Sequence, residues 1–274
     1  MRRHWLVFFV LWLPLACAEA PKRAETAAEY RANSKRAYDE AMEDYFDRNW
    51  ERFVPKMEEL ERRYANSRWG RLAALRIADA EFEQQKYLEA STSYKGFAHD
   101  HPNDPEVPYA RFRAAKALFQ STGDSAILPP LEERDLAQIR DANSAITAHL
   151  SDYPTSKWVP ELNYMLEVTS GMLARHELYV ARFHLTDDRF EAAAARVKFA
   201  LATQKGSGLE PEAYVLLAEI HLKMKQPGEA RGLLEKVLAE YPNSPFTVPA
   251  GQFLARLGGV ASKASEPSSA AKPQ

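Results

Sequence analysis

Cysteine is almost missing from this 274-residue chain. Cys17 stands alone, so neither a disulfide framework nor a thiolate-rich metal site can be drawn within it. There is no excess of one charge either: 36 Lys and Arg are interleaved with 38 Asp and Glu, which leaves no electrostatic footprint for nucleic acid. No apolar run reaches the roughly 20 residues that a membrane-spanning helix requires. The stretch from Trp5 to Ala16 is followed at once by Glu19, Lys22, Arg23 and Glu25. Alternation at period two, the mark of half-buried strands, is absent throughout.

Catalytic signatures are missing as well. There is no glycine-rich phosphate loop and no nucleophile elbow. The histidines fall in unhelpful places: His99 and His101 are two apart at a predicted helix end, and His176 and His184 are eight apart, so each reads as a satisfied or exposed imidazole. Carboxylates sit beside Lys or Arg, as in Glu58-Glu59-Leu60-Glu61-Arg62-Arg63, the pattern of a solvated helix face. No residue set converges on a reaction, and no metal or cofactor is implied. The chain reads as a binding protein rather than an enzyme.

Arg2 and Arg3 followed by the apolar segment 5–16 have the anatomy of a secretory signal. Cleavage before Cys17 would expose its thiol to a bacterial lipoprotein pathway. Leu15 and Ala16 suit that reading, although Pro14 stands where such signals usually carry leucine. Cleavage after Ala18-Glu19-Ala20 would instead release a soluble protein, with Cys17 an incidental residue of a discarded leader. Lipidation is the preferred reading. One acyl chain holds a protein only marginally to a bilayer, whereas two or more anchor it stably.

One phrase recurs along the rest of the chain: Arg63-Tyr64-Ala65-Asn66-Ser67, Asp100-His101-Pro102-Asn103-Asp104, Asp152-Tyr153-Pro154-Thr155-Ser156 and Glu240-Tyr241-Pro242-Asn243-Ser244, with a weaker copy at Thr203-Gln204-Lys205-Gly206-Ser207. Counted between Tyr64, His101, Tyr153, Gln204 and Tyr241, the copies lie 37, 52, 51 and 37 residues apart. Two of these intervals are near the tetratricopeptide period of about 34, and two carry insertions. A second mark falls midway, at Asn49-Trp50, Lys86-Tyr87, Arg189-Phe190 and Gln226-Pro227, with alanine three residues on at Ala90, Ala193 and Ala230. There a helix restarts after a polar turn.

Between the marks the apolar residues keep helical spacing. Ile139, Ala142, Ile146, His149 or Leu150, and Tyr153 form one stripe, and Phe190, Ala193, Ala194, Val197, Ala200 and Leu201 another. The expected fold is all-α, a tetratricopeptide-repeat solenoid of about five helix pairs from Glu29 to Tyr241, with a capping helix near Phe246 to Leu257. The expected division is a lipoprotein signal peptide at 1–16, a linker at 17–28, the repeat domain at 29–257 and a disordered tail at 258–274. An insertion between Ser121 and Glu132, with Pro129 and Pro130, breaks the third pair and reads as a surface loop. Trp69, Tyr94, Tyr109, Trp158, Tyr164, Tyr179 and Tyr214 are assigned mostly to the core, some to a ligand-facing surface.

The combination resembles the BamD family, lipoproteins of the bacterial outer-membrane β-barrel assembly (Bam) complex. The likeness runs from Ala37 to about Pro249. It is carried by His101-Pro102-Asn103-Asp104-Pro105 with Val107 and Tyr109-Ala110, and by Asp135, Ala142 and Leu150 through Ser156. Leu173-Ala174, Glu177, Ala181, Phe183, Phe190, Ala193 and Arg196 then match the fourth repeat in order and spacing. The resemblance implies a scaffold on the outer membrane, lipid-anchored through Cys17 and facing the periplasm. It implies partners in the periplasmic POTRA domains of BamA, in unfolded barrel precursors and in other Bam lipoproteins. Arg196 matches the family's arginine for BamA; Glu177 and Tyr179 lie on the preceding helix, and Glu177 is also placed to pair with Arg196 across the hairpin. The region from Trp50 to Tyr109 would meet the aromatic-ended signals of precursors. The other reading is a periplasmic repeat lipoprotein serving cell-wall or motility machinery.

Labelling cells with a clickable fatty acid should mark the native chain and leave Cys17→Ala unmarked; label persisting on the alanine variant would remove Cys17 as the attachment site.

Overall fold

The computed structural model describes residues 25–123 and 136–264, with side chains as far as Gly258. Cys17, the leader, Asp135 and most of the insertion around Pro129 and Pro130 lie outside these residues. Among the described residues eleven α-helices follow one another: α1 (Ala27–Phe46), α2 (Trp50–Arg63), α3 (Arg68–Glu83), α4 (Tyr87–Asp100), α5 (Val107–Ser121), α6 (Ala137–Asp152), α7 (Val159–Thr186), α8 (Phe190–Thr203), α9 (Glu210–Lys223), α10 (Pro227–Glu240) and α11 (Thr247–Ala264). They pair as five hairpins and a cap. Each helix packs on the next in sequence, and α1 also reaches α3 and α5 reaches α7. This is the nearest-neighbour stacking of a helical solenoid.

The two recurring marks are the two kinds of turn. Within four hairpins, the second residue before the new helix adopts a left-handed conformation: Arg48, Gln85, Asp188 and Lys225 have φ of 56°, 61°, 56° and 60°. The next N–H, from Asn49, Lys86, Arg189 or Gln226, then donates to the carbonyl five residues back at 2.8–3.0 Å. This closes the helix end in a Schellman arrangement, a position that glycine usually takes. Between hairpins, the recurring phrase supplies a tight turn in which Ser67, Asp104, Ser156 and Ser244 donate their N–H to the carbonyls of Tyr64, His101, Tyr153 and Tyr241. The weaker copy uses positive-φ Gly206 and Gly208 instead, and the Glu210 carboxylate accepts from the N–H of Gly206 and Ser207.

Alanines let the hairpins close. Ala90, Ala193 and Ala230, three residues into α4, α8 and α10, are fully buried; the equivalent place in α2 holds Phe53, enclosed by the rings of Tyr45 and Trp50. Closest of all is Gly70, where a Cβ would lie 2.1 Å from the carbonyl oxygen of Tyr64. Thr26 and Glu29 form a reciprocal capping box that starts α1. α11 continues to Ala264, past the Leu257 at which the apolar stripe ends.

α7 departs from the repeat. It has 28 residues, against 16 in α6 and 14 in α8. Its first half packs on α5 and α6 through Leu162 and Met165, which meet Phe112, Ala115 and Ile146. Leu173 reaches Leu136 and Ile139 at the start of α6. Beyond that point Leu178 and Ala181 pack against α8 and α9, and α6 no longer covers the other side.

Replacing Gln85 or Asp188 by glycine should stabilise the chain by about 0.5–1 kcal/mol, since the left-handed penalty of an L-residue is relieved. Gly70→Ala should destabilise it by about 2–4 kcal/mol through the clash with Tyr64; urea unfolding of the three variants measures both effects.

Candidate functional site

Two regions gather side chains in ways that packing alone does not require. The first is built by the leading helices of successive hairpins. On α3 the apolar spacing Leu72, Leu75, position 79 and Phe82 is interrupted by a carboxylate, Asp79, which is only 3% exposed. Its Oδ1 accepts from the hydroxyls of Tyr94 on α4 at 2.5 Å and Tyr109 on α5 at 2.8 Å. Its Oδ2 pairs with Arg76 one turn back. Arg76 Nε also donates to Tyr38 Oη on α1 at 3.0 Å. Arg113 Nε donates to Tyr94 Oη at 2.9 Å, stands 3.6 Å from Asp79 and lies 4.0 Å above the ring of Phe82.

One carboxylate thus ties four helices together. Within the cluster two guanidiniums face one carboxylate, so a positive charge is in excess. Burial, and then the Asp79 charge, push the hydroxyls of Tyr94 and Tyr109 well above the usual phenol range. For Tyr45 the same causes raise it to about 12. Burial works against the charge on Arg76, but its partners, Asp79 first, outweigh it and hold the guanidinium protonated. Aromatic rings extend this face: Trp69 lies 4.9 Å from Tyr38, and Trp158 lies 6.0 Å from Tyr109.

The second region is the overhang of α7 and the neighbouring face of α8. Tyr179 and Phe183, one turn apart on α7, are 43% and 55% exposed. Phe199 on α8 is exposed as well. Around them stand cations: Arg182 bridges to Glu212 on α9, Arg189 pairs with Asp187 and covers the Phe183 ring at 5.6 Å, and Arg196 meets Glu177 across the hairpin at 3.3 Å. Arg196 is half-exposed while Glu177 is largely covered. The Glu177–Arg196 pair anticipated from spacing is therefore formed, and Tyr179, two residues on, lies on another side of α7.

The aromatics named from the sequence divide accordingly. Tyr94 is core, Trp69 and Tyr109 are half-buried on the Asp79 face, and Tyr164 and Tyr179 are exposed. Sequence reasoning placed the carboxylates on outer faces, and Asp79 corrects that picture; its position in the apolar stripe of α3 was the available signal. Phe183 and Phe199 were not singled out as surface residues, although each falls opposite the buried stripe of its helix, Leu178 and Ala181 in α7 and Ala193, Ala194 and Val197 in α8. An open groove of about 450 Å³ between α1 and α2 carries charges paired within its own hairpin, such as Arg36 with Glu40. Among the described residues no group of three or more His, Cys, Asp or Glu could hold a metal ion, and no helix is long and apolar enough to cross a membrane.

Comparison with known proteins gives these surfaces a context. A family model described as "YfiO: Outer membrane lipoprotein" matches residues 31–233. The outer membrane protein assembly factor BamD of Neisseria gonorrhoeae is 26% identical over 245 residues, 86% of this chain and 90% of that protein. The BamD of Xylella fastidiosa strain 9a5c is 25% identical over 203 residues, 72% and 69% of the two chains. Among solved structures, the TPR2AB domain of yeast Sti1 in complex with pHSP90 aligns with a TM-score of 0.42 at 13% identity, covering 85% of each chain. A tetratricopeptide protein of Thermus thermophilus aligns with a TM-score of 0.34 at 16% identity, covering 81% of this chain and 99% of that one.

Asp79→Asn should destabilise the chain by about 3 kcal/mol, because two half-buried guanidiniums lose their carboxylate. Tyr94→Phe keeps all three charges and should cost about 1 kcal/mol. Denaturant unfolding of the two variants would reveal a hub only if the first loss clearly exceeds the second.

Proposed function

We propose, because the chain belongs to the YfiO family of outer membrane lipoproteins, that it is an outer-membrane protein assembly factor that works by gripping other polypeptides and performs no reaction of its own. The observation that carries this reading is the overhang of α7: an exposed, partly cationic apolar surface lying inside the matched residues and produced by one helix outrunning its neighbour. Surfaces of this kind, aromatic and arginine-rich, mark protein interfaces.

In finer terms, the α7–α8 surface receives the periplasmic POTRA domains of BamA. Arg196, Glu177 and Tyr179 are the contact residues, with Phe183 added by the geometry. Glu177 orients the Arg196 guanidinium toward the partner, since a pair this exposed contributes at most about 1 kcal/mol to folding. The aromatic and cationic face around Asp79 meets the extended ends of unfolded barrel precursors. Other Bam lipoproteins share the scaffold. Acylated Cys17 anchors the chain to the outer membrane with the repeats in the periplasm.

Affinity capture from detergent-solubilised membranes should recover BamA with the native chain and at least about tenfold less with Arg196→Glu, while circular dichroism stays unchanged. The swap of Glu177→Arg combined with Arg196→Glu separates two roles: it restores the internal pair but not a partner contact, so capture should remain lost. Recovery of capture by the swap would make the pair structural only, and recovery of cell-wall enzymes in place of BamA would overturn the reading.

A further inference from the structure

The joint between α5, α6 and the start of α7 encloses a titratable group that the proposed function leaves unused. His149, in the last turn of α6, is 1% exposed. Its ring lies among Phe112 of α5 at 6.4 Å, Tyr153 at 5.0 Å and Trp158 at 6.1 Å. The ring Nε2 stands 3.2 Å from Ser156 Oγ in the turn that follows, and Nδ1 is buried with no hydrogen-bonding partner. Neutral imidazole fits this site, with Nε2–H donating to the serine and Nδ1 keeping its lone pair. Protonation would place a second donor, with a charge, where no acceptor faces it.

The ring sits on the path that leads into α7. His149 also supplies the carbonyl that accepts from Tyr153 N–H at 2.8 Å; Tyr153 O then accepts from Ser156, and Ser156 O from Val159. Trp158, the residue that precedes α7, stacks on Phe112 at 5.0 Å and 10°. We propose that this joint is an acid-sensitive latch: protonation of His149 releases the turn 153–158 and loosens the seating of α7, and so uncouples the Asp79 face from the α7–α8 surface.

The charged groups around the latch are few. Arg111 on α5 pairs with Asp152 on α6 at 2.5 Å and lies 5.9 Å from the Tyr153 ring. Lys116 on α5 pairs with Glu161 on α7, and Lys157 in the turn covers Trp158. Burial depresses the proton affinity of His149; Arg111 adds to that, and Asp152 opposes it. The folded chain therefore holds this proton more weakly than the unfolded chain, whose imidazole titrates near 6.5. The stability that neutral His149 contributes is complete above that pH and is lost as the pH falls through the folded-state value.

Amide hydrogen exchange of the full chain, corrected for intrinsic rates, tests the latch at pH 7.5 and 5.5. Protection at Tyr153, Ser156 and Val159 should fall several-fold in acid, bounded by tenfold per unit of depression, while protection in α9 and α10 is unchanged. In His149→Gln, which keeps a donor for Ser156 but cannot take the charge, the acid effect should vanish. Equal protection at both pH values, or the same loss in the variant, overturns the proposal. If the variant does not fold, exchange at Tyr153, Ser156 and Val159 in the native chain is followed across pH beside the nuclear magnetic resonance titration of His149: loss of protection that tracks the imidazole's titration supports the latch, and no loss, or loss at an unrelated pH, rejects it.

Discussion

A pair of short helices cannot bury its own apolar face, and every other feature of this structure answers to that constraint. Helices of 14 to 16 residues are marginal alone in water, so α2, α4, α8 and α10 each depend on the helix before and the helix after. The means of contact is small side chains: Ala90, Ala193 and Ala230 are fully buried, and each lets one helix lie close to the next. The turns accept strain to keep that geometry. Arg48, Gln85, Asp188 and Lys225 hold left-handed backbone where glycine would be easier. The stacking that follows requires this left-handed turn to return each second helix against the first, and the surrounding contacts hold the conformation in place.

Polar groups are distributed by the same logic. Along the outer faces, pairs such as Arg62 with Glu59 are exposed and contribute little. Asp79 is different because four helices converge on it. Its two guanidiniums, two direct hydroxyl donors and the aromatic walls around them fix how α1, α3, α4 and α5 sit together, since a buried carboxylate has few acceptable arrangements. A purely apolar core at that place would tolerate sliding; a shared carboxylate does not.

Repetition makes the scaffold, and its interruption makes the surface. Where α7, at 28 residues, outruns the 16 of α6, its first half continues the stack and its second half leaves the cover of α6. Tyr179 and Phe183 stay exposed on that second half. The turn that launches α7 is also where His149 is packed, so the element that presents the surface begins at a buried imidazole.

The local pattern of the chain was enough to find the helices and their turns. The Tyr-Pro-Thr-Ser type phrase and the midway mark are statements about backbone conformation over four or five residues, and both survive in the structure as the two kinds of turn. The pairing of Glu177 with Arg196 was likewise legible, because it follows from spacing within one hairpin. The choice between His149 and Leu150 for the core was not, since both fall on the same turn and only the rings of α5 and α7 decide it. Asp79 stood out in its apolar stripe, but its partners on α4 and α5 did not, and Tyr179 was open to either a core or a surface place. Helical period is set by the chain itself, through the geometry of consecutive hydrogen bonds; whether a given side chain meets water, a ring or a guanidinium is set by which distant helix lies over it, and that only the assembled stack decides.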